Sequence, residues 1–381
     1  MLKKVFCLFI CFCVFLPFAT LCVKAEGLSV SAKSAIIMNV STGEIVFSKN
    51  PYEKRGIAST TKIMTALLAI EKADFNKVVA AKKGDVGVEG TSIYLKAGDK
   101  ITVGALVKGM LLESGNDAAN VTATAIAGNK EKFAELMNEK ARELGMYSTN
   151  FVNPSGLTEE KHYSTAYDMA LLSCAAIEND TFREICSARS FTVSYGLPEV
   201  QRTFYNHNKF LNRYDGALGI KTGFTKAAGR CLVTAAQRNG VTFVAVTLNA
   251  PDDWNDHIKM MDFAFENTGV HYAQCDLKNI SVHVVGSEKD SIKVTLATPL
   301  EYHSVKETDD YKTEIYLPQF LYAGIKKGDC IGRVDLLNNK GKVISSSFIT
   351  SLEDAPEILI DEREKQNFLE QIINKFKEGL S

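Results

Sequence analysis

Hydrophobic positions along the chain change period several times, and each change marks an element. Ala35-Ile36-Ile37-Met38-Asn39-Val40, a turn at Ser41-Thr42-Gly43 and then Glu44-Ile45-Val46-Phe47 read as a β-hairpin. A helical run follows, headed by Ser59 and apolar on nearly every face from Ile63 to Ile70, which predicts a helix buried inside a domain. Gly84 to Ile101 reads as loops with short strands. Val103 to Leu112, Asp117 to about Ala127, and Lys130 to Leu144 (stopped by Gly145) read as helices. Asn153-Pro154-Ser155-Gly156 is a turn, and Ala166 to Ile177 is helical again.

After Asn212 the period shortens. Gly219-Ile220-Lys221-Thr222-Gly223 leads toward Cys231 to Ala236, and Val241 to Leu248 follows a turn at Arg238-Asn239-Gly240, which predicts strands joined by a tight hairpin. Trp254 to Phe265 reads as a helix. A hairpin, then helices, then strands and a last helix imply an α+β domain whose first and last segments share one antiparallel sheet. From about Cys275 to residue 350 the alternation of Ile280 to Val284 and Ile292 to Leu296 predicts a small all-β domain. Glu362 to Ser381 returns to helix, with Phe368, Leu369, Ile372, Ile373, Phe376 and Leu380 on one face. That face either packs on its own domain or lies on a membrane surface.

Lys3 and Lys4 ahead of an apolar stretch from Val5 to about Val23 mark residues 1–25 as a targeting segment. Val23-Lys24-Ala25 offers a cut before Glu26; without cleavage the stretch would remain as an N-terminal anchor. The expected units are thus 1–25 signal, 26–274 catalytic domain, 275–350 β domain, and 351–381 linker and helix. Losing Lys3, Lys4 and Lys24 takes the formal charge from −1 to about −4, and no basic patch suggests nucleic acid. Five cysteines, from Cys174 to Cys330, follow the signal without C-x-x-C spacing, and no metal, phosphate or dinucleotide motif is present.

The candidate chemistry lies in three short patterns. Ser59-Thr60-Thr61-Lys62 places a hydroxyl and an amine one helical turn apart, so a desolvated lysine could take the serine's proton. The plainer reading makes Ser59 an N-cap and Lys62 a solvated first-turn residue. S-x-N occurs at Ser48, Ser114 and Ser148, but only Ser114-Gly115-Asn116 lies in a loop between two predicted helices. Lys221-Thr222-Gly223 occurs once, at the start of a strand, where it is either a strand edge or a carboxylate site. The three together, in this order and these settings, favour a site.

With these motifs the chain resembles the low-molecular-weight penicillin-binding proteins, serine D-Ala-D-Ala carboxypeptidases of bacterial cell walls, from about Ala32 to Gly269. Flanking matches include Asn153-Pro154-Ser155-Gly156-Leu157 and Gly219 to Thr225. The resemblance implies a penicillin-binding/β-lactamase-like catalytic domain, an antiparallel sheet with helices plus a helical subdomain, followed by the β domain. It implies Ser59 as acyl-ester nucleophile, Lys62 as general base, Ser114 as proton relay and Asn116 orienting the substrate's amide. Lys221 and Thr222 would hold the terminal carboxylate, and Gly223 would let the substrate lie against the strand. The backbone N–H groups of Ser59 and Phe224 would stabilise the oxyanion. Implied partners are the peptidoglycan stem pentapeptide and β-lactam antibiotics, with no metal or other cofactor. The expected location is extracytoplasmic, peripheral on the outer face of the cytoplasmic membrane.

The chain departs from relatives that carry a carboxylate-binding arginine in the segment matching Ala250 to His257 or at His207. His207 could share that work here. The rivals are a class A β-lactamase, whose E-x-x-L-N segment is missing, and a non-catalytic penicillin-binding wall protein.

Overall fold

The computed structural model describes residues 28–308, 310–358, 370–373 and 375. The expected signal segment, and most of the expected terminal helix, lie outside the described residues.

In chain order, β1 (Ser34–Asn39) and β2 (Ile45–Lys49) form the predicted hairpin. A 3₁₀ turn (Ala58–Thr61) leads into α1 (Lys62–Lys72), followed by the short pair β3 (Val78–Ala80) and β4 (Lys100–Thr102). Then come α2 (Val103–Leu112), α3 (Asn116–Ala127), α4 (Lys130–Glu143), α5 (Ala166–Glu178) and α6 (Asp180–Ser187). A hairpin of β5 (Ser190–Tyr195) and β6 (Val200–Tyr205) precedes β7 (Ala217–Thr225), β8 (Gly229–Arg238), β9 (Val241–Leu248) and α7 (Asp253–Asn267). Neither α6 nor the β5–β6 hairpin is foreseen in the sequence reading.

The main sheet is antiparallel with order β2-β1-β9-β8-β7, so the first and last segments do share it. Both its faces are covered. Ile36, Met38, Val233, Val244 and Val246 pack under the helical layer, while Ala35, Ile37, Phe243 and Ala245 pack against Met260, Met261 and Ala264 of α7. That is why β1 is buried at every position instead of alternating. α1 is surrounded by α2, α3 and α5, and its residues from Lys62 to Ala69 are all buried. Ser59 therefore sits on the 3₁₀ turn ahead of α1, where residues three apart eclipse one another.

β10 (Gly269–Ala273), assigned to the catalytic unit in the sequence reading, pairs with β13 (Leu300–Ser304) beyond it. The remaining strands are β11 (Ser281–Val285), β12 (Ser291–Leu296), β14 (Tyr311–Tyr316), β15 (Phe320–Tyr322), β16 (Cys330–Asn338) and β17 (Val343–Ser351). They make a second sheet with its own apolar cluster, to which Ala355 also belongs. This β unit thus extends from Gly269 past residue 350. Five residues of β10 are too few for their alternation to be told from a helix tail.

Candidate active site

Lys62 is the most deeply placed polar group of the site, with no exposed surface. Its Nζ lies 3.0 Å from Ser59 Oγ, 2.6 Å from Asn116 Oδ1 and 2.6 Å from the Ser155 carbonyl. Burial holds the amine well below the usual lysine range, and the nearby Lys221 pushes the same way, with Asp117 opposing. A neutral amine has two N–H donors and one lone pair. Asn116 Oδ1 and the Ser155 carbonyl can only accept, so once Lys62 has lost a proton they would take both remaining N–H bonds, turning its lone pair to the Ser59 hydroxyl. The solvated first-turn lysine is thereby excluded. Asn116 is oriented by its own Nδ2, which donates to the Glu89 carbonyl at 2.7 Å.

The loop that supplies Ser155 is fixed to α1 from two sides. Thr65 Oγ1 donates to the Pro154 carbonyl at 2.6 Å. Val152 N–H donates to His162 Nδ1 at 3.1 Å, which leaves the proton on Nε2, 2.8 Å from Thr61 Oγ1. Thr61 Oγ1 in turn donates to the Ala58 carbonyl, just before Ser59. Burial first, then Lys62, pushes His162 down to about 4, so it stays neutral in this chain of bonds. On the opposite side Asp117 accepts from the N–H groups of Ile93 and Leu95 and from Ser92 Oγ, fixing the loop that carries Thr91.

Ser59 opens onto a cavity of about 360 Å³ shared with Thr91, Ser114, Thr222, Gly223 and Phe224. Ser114 lines it from a left-handed backbone position, φ 62°, without a hydrogen bond to Ser59 or Lys62. A side chain at Gly223 would put its Cβ 3.0 Å from the Ser59 nitrogen and 3.1 Å from that of Thr60, so only glycine lets β7 approach the turn this closely.

Two expected placements need correction. Lys221 is only 1% exposed and does not line the cavity; its Nζ donates to the Thr222 carbonyl, and burial pushes it down to about 7. The Lys221 amine therefore lies beneath the cavity wall, close enough to Lys62 to act on its charge, while Thr222 lines the cavity itself. Asn116 is nearly buried, with both ends of its amide engaged by protein, and it orders Lys62 instead of facing the cavity.

The cavity also holds residues the motifs do not mark. His207 reaches it but pairs with Glu113 at 3.1 Å. Lys209, Arg230, Asp253 and Trp254 complete that end, with the Arg230 guanidinium 2.8 Å from Asp253. The signal that could have found Arg230 is hairpin register: Thr222 pairs with Leu232 and Phe224 with Arg230, so Thr222 and Arg230 share a face. Among the described residues no cluster of three or more His, Cys, Asp or Glu could hold a metal.

A helix-backed antiparallel sheet with a serine and a desolvated lysine in contact at its edge defines a serine hydrolase. The chain matches the D-alanyl-D-alanine carboxypeptidase family over residues 21–252, and it belongs to that family. It is 33% identical over 344 residues to D-alanyl-D-alanine carboxypeptidase DacF of Bacillus subtilis (strain 168), covering 87% of each chain. The crystal structure of D-alanyl-D-alanine carboxypeptidase DacD from Francisella tularensis matches with TM-score 0.63 at 25% identity, over 88% of this chain and 96% of the other. Penicillin binding protein 5 from Haemophilus influenzae matches with TM-score 0.61 at 26% identity, over 86% and 98% respectively.

Proposed function

We propose that the protein removes the terminal D-alanine from peptidoglycan stem pentapeptides through an acyl-enzyme on Ser59. Lys62 takes the Ser59 proton as the oxygen attacks the carbonyl between the two D-alanines. The oxyanion is met by backbone N–H groups of Ser59, on the first turn of its helix, and of Phe224, on the edge strand β7. Ser114, in the same cavity, passes a proton to the leaving amine. Water then hydrolyses the ester and frees the shortened peptide. A β-lactam presents a similar carbonyl and acylates the same oxygen. The observation that carries this reading is the 3.0 Å contact between Ser59 Oγ and a fully buried lysine that Asn116 Oδ1 and the Ser155 carbonyl hold in place. Ser59→Ala should abolish both D-alanine release and covalent labelling by a fluorescent penicillin while the melting transition persists. Labelling that survives in the variant would remove Ser59 from the mechanism.

Residues 1–25 direct export in this reading, and the 362–381 helix rests on the outer face of the cytoplasmic membrane. Support comes from the described part of that helix, where Ile372 and Ile373 are 39% and 50% exposed. Each such side chain stabilises membrane binding by roughly 1.5–3 kcal/mol if fully buried. Protein spanning 26–381 should sediment with liposomes in moderate salt, and protein ending at residue 361 should not. Equal sedimentation would place the helix on its own domain.

A further inference from the structure

The burial of Lys221 leaves open which cation meets the free carboxylate at the end of the substrate. Arg230, Lys209 and His207 are the basic groups lining the cavity, and His207 is engaged by Glu113. Arg230 is held differently. One nitrogen of its guanidinium is tied at 2.8 Å to Asp253, whose side chain is only 4% exposed, while Arg230 itself is 44% exposed. The anchor is therefore buried, while Arg230 lines the cavity and keeps part of its side chain exposed. Burial pushes the Asp253 carboxyl up, and the Arg230 bond opposes that shift, so the ion pair fixes both partners.

We propose that Arg230 is the carboxylate-binding residue of this site, positioned by Asp253 and working beside the Thr222 hydroxyl. Thr222 and Arg230 are diagonal neighbours across β7 and β8, a separation of roughly 7–8 Å between backbones that side chains of this length bridge. One carboxylate between them accepts from the hydroxyl on one oxygen and from the guanidinium on the other. Trp254 follows Asp253 at the start of α7 and walls the same end of the cavity. The missing arginine in the Ala250 to His257 segment is thus replaced from the neighbouring strand, with that segment supplying the anchor.

The proposal rests on the carboxypeptidase reading and is tested by two peptides that differ in one group. An N-acylated peptide ending in D-Ala-D-Ala as the free acid is compared with the same peptide ending in the carboxamide, and release of the terminal residue gives kcat/KM for each. Arg230→Gln keeps a donor for Asp253 but loses the charge. It should lower kcat/KM for the acid about 10- to 100-fold, mainly through KM, and change the amide less than about 3-fold. Arg230→Lys keeps the charge balance but loses the fork, and an acid preference reduced about 3- to 10-fold is expected. Equal losses on both peptides, an unchanged preference in either variant, or loss of the preference in Lys209→Gln instead would overturn the assignment. A wild-type protein that cleaves neither peptide defeats the carboxypeptidase reading as well. One that cleaves the acid while its Arg230→Gln variant keeps the preference defeats only the role of Arg230.

Discussion

Gly156 offers the sharpest test of how the Ser59 turn is held. Its backbone is left-handed, φ 84°, and a Cβ built there would lie 1.9 Å from the Ala58 carbonyl oxygen and 2.8 Å from Thr61 Oγ1. Carbon–oxygen contacts settle near 3.3 Å at the closest, so Gly156→Ala forces the two backbones apart by roughly 1.4 Å. Side-chain rotation cannot relieve it, because the obstacle is main chain. The left-handed conformation itself costs alanine about 1–2 kcal/mol. Moving the loop also pulls the Ser155 carbonyl from Lys62, its neighbour at 2.6 Å, and an orphaned buried group adds about 1–3 kcal/mol. The sum, about 2–5 kcal/mol, corresponds to a melting temperature lower by roughly 5–20 °C. A 1 Å displacement at a catalytic contact should also slow penicillin acylation about 100-fold. Gly128→Ala separates the terms: its φ is 87°, but nothing lies within 4 Å of the added carbon. That variant should lose only a few degrees, with wild-type acylation. Matching melting temperatures for the two variants, with acylation within a few fold of wild type, would refute the claim that this contact holds the site.

Two further outcomes concern the amines. Lys62→Arg should acylate at least about 100-fold more slowly, because guanidinium stays protonated at any working pH and cannot take the Ser59 proton; a rate within a few fold of wild type would move the base elsewhere. Acylation should also rise with pH as Lys62 loses its proton. Lys221⁺ depresses the Lys62 pKa, so Lys221→Met should shift that rise to higher pH, the effect being felt below about 7, where Lys221 is charged. An unshifted profile of acylation rate against pH would show that the two amines do not interact.

What the sequence made legible were elements with a strong period and motifs lying on them. β1, α1 and β7 to β9 carry enough buried residues to be read one by one, and the shared sheet follows from their order. In the β5–β6 hairpin, β5 alternates as Ser190-Phe191-Thr192-Val193-Ser194-Tyr195, a legible strand signal that the sequence reading passed over, whereas β6 is exposed at all but Phe204 and carries no such pattern. Lys221 and Thr222 looked like equal partners because they are adjacent in sequence, whereas Thr222 lines the cavity and Lys221 is buried behind it. Arg230 was invisible for a related reason. Its closeness to Thr222 depends on strand register past the irregularity between Ala217 and Gly219, and its anchor arrives 23 residues later on α7. His162 and Ser155 act through a ring nitrogen and a main-chain carbonyl, which carry no motif of their own.

Backbone strain is distributed with the same logic. Six described residues other than glycine have positive φ, and three are Asn50, Asn239 and Asn249, a residue type that tolerates the left-handed region. The other three are Ala58, Tyr94 and Ser114. Ala58 precedes the nucleophile, Ser114 lines its cavity, and Tyr94 lies in the loop fixed by Asp117. Each conformation costs on the order of 1–3 kcal/mol and persists only where its surroundings over-determine it. At Ala58 the surroundings are visible: Thr61 Oγ1 bonds to its carbonyl, and Gly156 lies so near that an added Cβ would collide with the same oxygen. Two buried lysines add a desolvation cost in the same small volume. A helix surrounded by three others and a sheet covered on both faces supply the rigidity against which such costs can be held. The turn before α1 is therefore where loosened packing should reduce acylation before it unfolds the protein.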